Sequence, residues 1–326
     1  MKRLLIVAAA LGLALAVAII AAEGFGAVTQ AFAAVGYGLA VVTAIRAAEL
    51  AGAGLGWWVI FPPEAKALLR KVVWVRFIRE AINSLLPVAQ VGGEIAGARV
   101  MTFAGIPAGL SGATVLVDMF MQVVSLFLFT VVGLGIFVVY AADDALLGPI
   151  LLGTAIMGVA LVGFFIAQRF GGARLVDRML MALAERFGWS TLANLASLHD
   201  NLARIYGDLP RLAASLLVHI AVWFLGSFEV LVALHLMGYP VSFADAVVIE
   251  SLSQAVRAAA FLVPGALGVQ EAGFVAICSA FGIPAAPSLA LSLVKRVPEL
   301  ILGPPFLFVW HAYEAKALKR RRESQS

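Results

Sequence analysis

Apolar residues in this chain come in long unbroken runs, not in the stripes of a soluble helix. Runs of spanning length cover roughly 4–22, 31–60, 111–140, 147–168, 211–237 and 286–311. About 20 apolar residues suffice for one helical crossing of a bilayer. The pattern predicts an all-α polytopic bundle of about six full spans, forming a single integral membrane domain over 1–326. Residues 64–79 after Phe61-Pro62-Pro63 are basic and amphipathic, with Trp74 and Phe77 among the charges, and predict a helix lying on the inner leaflet. Residues 170–209 form the largest polar loop, where Leu192, Leu195, Leu198 and Leu202 repeat at helical spacing and predict amphipathic cytoplasmic helices.

Two apolar stretches, about 80–99 and 244–282, are interrupted. In the second, Leu262–Glu271 reads LVPGALGVQE. Pro264 removes a backbone donor, Gly265 and Gly268 loosen the chain, and Glu271 is costly in lipid. The stretch predicts a break between two half-helices. In the first, Leu85–Glu94 reads LLPVAQVGGE and matches it at Leu, Pro, Ala and Glu. Pro87 and Glu94 then correspond to Pro264 and Glu271. The first segment is too short to cross twice, so it predicts a re-entrant hairpin. The second is long enough for a hairpin or for two thin spans.

Composition supports the class: 63% of residues are apolar and 13% charged, and mean hydropathy is +1.01. Of 23 Lys and Arg, 19 fall in segments that alternate onto one side of the spans. Facing loops carry Glu23, Asp143 and Asp144 and no base. By the positive-inside rule both termini are cytoplasmic, and the first run reads as a retained span, not a cleaved signal. The sequence pI near 9.4 then reflects anchoring to anionic lipid, with no nucleic-acid partner. Cys278 is the lone cysteine, which excludes an internal disulfide and reads as a packed small residue.

The remaining four cations lie within apolar surroundings: Arg46, Arg257, Lys295 and Arg296. Arg46 and Glu49 are three apart and share a helix face, as an ion pair or as a polar lining. Lys295 is about nine residues into the last span, near 14 Å deep at ~1.5 Å per residue. Glu250, Glu271 and Glu299 are available to neutralise the cations. Either they form buried salt bridges, or they line a pocket for a polar lipid head group. Arg257, Glu271 and Arg296 are expected to face one cavity near the midplane. Asp118 reads as a cap or interfacial carboxylate. Glu229 is deep and has no local partner. His219 and His235 lie 16 apart and give no ligand cluster, so no metal site is expected. No G-x-x-x-x-G-K-S/T, H-E-x-x-H or G-x-S-x-G pattern occurs, so neither an ATP site, a cofactor nor a catalytic constellation is expected.

Glu250–Arg257, FLVPGALGVQEAGF at 261–274, SLVKRVPEL at 292–300 and NSLLPVAQVGGE at 83–94 resemble the integral-membrane half of bacterial lysylphosphatidylglycerol synthase and flippase proteins. Within that superfamily the chain is most similar to the hopanoid-biosynthesis-associated HpnL type. The resemblance implies a lipid flippase or transporter of the inner membrane, with a hopanoid as first substrate and lipid-biosynthesis proteins as candidate partners. An anionic or aminoacylated phospholipid is the alternative substrate, and an oligomer is compatible with the sequence. It does not imply lipid aminoacylation, so the chain reads as no enzyme. A polytopic lipid-modifying enzyme and a scaffold of a lipid-synthesis complex are the other readings. A hopanoid head group carries hydroxyls instead of phosphate, which conflicts with a strongly cationic pocket.

Overall fold

The computed structural model describes residues 25–86, 91–140, 195–260 and 268–323, with Ala266 and scattered positions between 148 and 166. The span expected at 4–22, most of that at 147–168, the loop at 170–194, and Pro87, Pro264 and Gly265 lie outside the described residues. Among the described residues there are ten α-helices and no strand.

The run read as one span from 31 divides at Gly36, whose φ of +46° suits glycine, into α1 (Phe25–Val35) and α2 (Gly38–Ile60). The third and fifth runs form α5 (Ala108–Tyr140) and α7 (Leu209–Leu236). Among the described residues, α2, α5 and α7 are long and apolar enough to cross a membrane. The last helix, α10 (Ala285–Glu323), has 39 residues, or about 58 Å of helix. It carries Lys295, Arg296 and Glu299 and has Pro298, Pro304 and Pro305 in its interior. Each proline removes a helical hydrogen bond, which bends a helix at that point.

Each broken segment forms two packed arms. The first is α3 (Leu69–Leu85) and α4 (Gly92–Phe103); the second is α8 (Phe243–Ala259) and α9 (Val269–Ser279). The second arms have 12 and 11 residues, about 18 and 17 Å of helix, short of the ~30 Å hydrocarbon core. Glycines let the arms close. A Cβ on Gly93 would run into the Arg79 carbonyl, one on Gly97 would lie 2.6 Å from Arg79 Cγ, and one on Gly273 would lie 2.9 Å from Val256 Cγ1.

The structure corrects the reading of residues 64–79. They do not form a separate surface helix. Leu69–Leu85 is one helix that enters the bundle, with Val72, Val75, Ile78, Arg79 and Ile82 buried. The first broken segment therefore begins at Leu69, not near Glu80. Arg76 and Arg79 enter because carboxylates meet them, Glu80 one turn on for Arg76, and for Arg79 Glu94 and Asp118 from other helices, which local sequence does not show. Trp74 and Phe77 instead pack on Phe306 of α10, with ring centroids 5.0 and 4.6 Å away.

The apolar core is double. One cluster joins Trp57 of α2, the buried faces of α3 and α4, the start of α5, and Leu198, Leu202 and Ile205 of α6 (Leu195–Gly207). The other joins Val42 of α2, Phe137 of α5, the end of α7, and α8, α9 and the start of α10. Along α2, α7 and α10 the charged residues fall between the two clusters. Each long helix is thus anchored by apolar packing at both ends, and its ionic positions share a middle layer.

Candidate functional site: a charged layer and its cavity

Arg46 stands at the centre of that layer. Its guanidinium donates to Glu80 of α3 at 2.6 Å and to Glu49, one turn on, at 2.9 Å. Arg76, one turn before Glu80, approaches it at 3.4 Å and donates to Gln122 of α5 at 3.2 Å. On the opposite side Arg257 of α8 donates to Glu299 of α10 at 2.8 Å. These groups border a cavity of about 280 Å³ between the first hairpin and α8. Arg46, Arg76, Arg257, Glu80, Glu94 and Gln254 give it polar walls. Met119, Leu126 and Trp223 give it an apolar side.

Two further ionic groups sit deeper. Lys295 lies between Glu229 of α7 at 2.5 Å and Glu250 of α8 at 2.9 Å. Glu229 therefore does have a partner, from a helix 66 residues away. Arg79 is fully buried and bridges Glu94 and Asp118, at 2.7 Å for the latter, with its guanidinium 4.6 Å from the Trp57 ring centre. His219 Nε2 lies 3.1 Å from the other Asp118 oxygen. Asp118 is thus no interfacial cap: it is wholly buried and ties α3, α5 and α7 together. His235 is exposed and bonds only within its own helix, to the Leu231 carbonyl at 3.0 Å. Among the described residues no group of His, Cys, Asp or Glu is placed to hold a metal ion.

Arg257, Glu271 and Arg296 are not brought to one cavity. Arg257 lines it. Glu271 instead accepts the Gly268 amide at 2.7 Å, where a φ of +76° requires glycine, and takes the Arg296 Nε at 2.9 Å. These two residues tie α9 to α10. Arg46, Glu94 and Arg257 line the cavity directly. Glu49 and Glu299 stand behind those arginines, and Lys295 with Glu250 forms the deeper group. Sequence reading missed Arg76, Glu80, Asn83, Gln122 and Gln254. The signal was present in part: Arg76, Glu80 and Ser84 recur every four residues and mark one helix face.

Glu94 and Glu271 occupy matching local positions. Each is the third residue of the second arm of its hairpin, and each meets an arginine from a neighbouring helix, the fully buried Arg79 and the partly buried Arg296.

The family described as the lysylphosphatidylglycerol synthase TM region matches residues 4–303. The chain belongs to this family. Membership in the lysylphosphatidylglycerol synthase TM region ties the chain to membrane lipids and, with its apolar helices, makes it a multi-pass membrane protein. No curated protein and no solved structure matches the chain.

Proposed function

We propose that the chain is a lipid flippase or transporter of the bacterial inner membrane, passing a polar head group between leaflets through the cavity beside Arg46 and Arg257. The carrying observation is a polar cavity of about 280 Å³ within a bundle of membrane helices. It far exceeds the ~10–15 Å³ that a single water needs on the same measure, so a polar head group can enter it. The apolar part of the lipid would stay outside, among the helices.

The first substrate in this reading is a hopanoid or related polar lipid, in line with the resemblance to the HpnL type. The charge pattern supports a hydroxylated head group. Arg46 and Arg76 share Glu80, and Arg257 has Glu299. With its cations already matched, and with the Asn83, Gln122 and Gln254 amides around them, the cavity suits neutral hydroxyls as well as a phosphate. The sequence-level conflict between a cationic pocket and a polyol is eased.

The matching places of Glu94 and Glu271 support an inverted repeat of two re-entrant hairpins, a design that puts substrate sites near the midplane. With both termini cytoplasmic, Arg70 faces the cytoplasm and Pro240 the opposite side. Single cysteines at these exposed positions are expected to label from opposite faces of oriented vesicles; labelling from one face removes the topology.

The function is tested by reconstituting the full chain in vesicles with a trace of head-group-labelled lipid. Movement of label between leaflets, absent from protein-free vesicles, is expected. A lipid-modifying enzyme or a scaffold predicts no movement. Preference for anionic over hydroxylated lipid selects the alternative substrate.

A further inference from the structure

Among the described residues, four cations and five carboxylates form one ionic group around Arg46 and Lys295. Arg46 and Arg76 share Glu80, Arg46 also holds Glu49, Arg257 holds Glu299, and Lys295 holds both Glu229 and Glu250. The group has one carboxylate more than it has cations. The surplus lies on the Lys295 side, where a single ammonium faces two carboxylates. Glu49 adjoins it across Gly226. A Cβ there would lie 3.3 Å from Glu49 Oε1 and 3.4 Å from Glu250 Oε1, so the missing side chain leaves a notch between two carboxylates.

Two atoms mark the same surplus independently. Glu49 Oε1 and Glu229 Oε1 are buried and have no hydrogen-bond partner, on residues only 6% and 1% exposed. The charged groups around the notch are Arg46 and Glu49 on α2, Arg76 and Glu80 on α3, Glu229 on α7, Glu250 and Arg257 on α8, and Lys295 and Glu299 on α10. The others are engaged elsewhere: Glu94 of α4 and Asp118 of α5 hold Arg79, His219 pairs with Asp118, and Glu271 of α9 holds Arg296. No further cation among these elements reaches the surplus carboxylate. A buried carboxylate without compensation is costly in a bilayer interior, and taking up a proton removes that cost.

We propose that the Glu49–Glu229–Glu250 group binds one exchangeable proton and that this proton is the ion coupled to lipid movement. The step is simple protonation: a proton from water at the cavity adds to one carboxylate oxygen to give a neutral carboxyl, and its return restores the carboxylate. Arg46 links the two events. It lines the cavity and also holds Glu49, so neutralising Glu49 leaves Arg46 to Glu80 alone and alters a cation that faces the head group. The coupling rests on the flippase reading; the proton site does not.

Infrared absorption of the full chain in lipid vesicles tests the site, with H2O-to-D2O exchange as the probe. The wild type is expected to show the carbonyl stretch of a protonated carboxyl that shifts in D2O. Removing any one carboxylate equalises the charges, so Glu49→Gln, Glu229→Gln and Glu250→Gln are each expected to lose that signal. Glu64→Gln, at an exposed position, should retain it. Absence of the signal in the wild type, or its survival in every folded variant of the three, overturns the site. An imposed pH gradient is then expected to speed movement of head-group-labelled lipid in wild-type vesicles several-fold. If lipid moves but responds to a sodium gradient, or to neither gradient, the coupling is wrong and the flippase reading stands. If no lipid moves, the flippase reading and the coupling fall together, and the infrared signal alone decides the proton site.

Discussion

Arg79→Ala is expected to lower stability more than any other single substitution in the ionic layer. Arg79 has no exposed surface, and it bridges Glu94 and Asp118. Removing it leaves two buried carboxylates whose remaining partners are the Asn83 and Gln122 amides and His219. Breaking a buried pair in this way costs about 3–5 kcal/mol, because the orphaned charge stays out of water. Loss of the long side chain also leaves a void beside Trp57, which adds to the cost. Cys278 supplies the readout. It is the lone thiol and is fully buried, so a thiol-reactive dye reports unfolding. The dye-detected melt of Arg79→Ala is expected several degrees below wild type. Arg204→Ala, which breaks an exposed pair with Glu64, is expected to melt with the wild type. Equal melting of Arg79→Ala and wild type would show that the hairpin is held by apolar packing alone.

The membrane class and the existence of two broken segments were legible in the sequence because they rest on local signals. Long apolar runs mark helices, and Pro, Gly and Glu inside such a run mark interruptions. The partners of the buried charges were not legible, because they come from distant helices. Glu80 meets Arg46 across 34 residues, Asp118 meets Arg79 across 39, and Glu229 meets Lys295 across 66. For the same reason α3 was misplaced. Its basic residues match an interfacial helix until one knows that Glu94 and Asp118 wait inside for Arg79. The grouping of Arg257 with Arg296 also failed. Arg257 precedes the Pro264 break and Arg296 follows the broken segment, but Arg257 sits in the last turn of α8 on the cavity side while Arg296 bonds Glu271.

Arg257→Gln is expected to slow lipid movement at least about tenfold, the effect of losing ~1.4 kcal/mol of stabilisation in the moving state. The arginine stands at the cavity wall, where it donates to Glu299, and a neutral glutamine removes its charge from the wall without filling the cavity. The loss should appear in rate, with protein still folded in the membrane by the Cys278 melt. The same change at Arg296 acts on the α9–α10 contact and is expected to show first in the melt. Wild-type lipid movement in folded Arg257→Gln would place the head group elsewhere.

The central claim is that a lipid head group enters the cavity beside Arg46 and Arg257. Ala258 lines that cavity, so Ala258→Trp fills it while leaving every charge in place. Mass spectrometry of lipid that copurifies with wild type and with Ala258→Trp tests the claim most directly. The account predicts a hydroxylated lipid enriched on the wild type and lost from the tryptophan variant. The same lipid on both proteins, in the same amount, would contradict it.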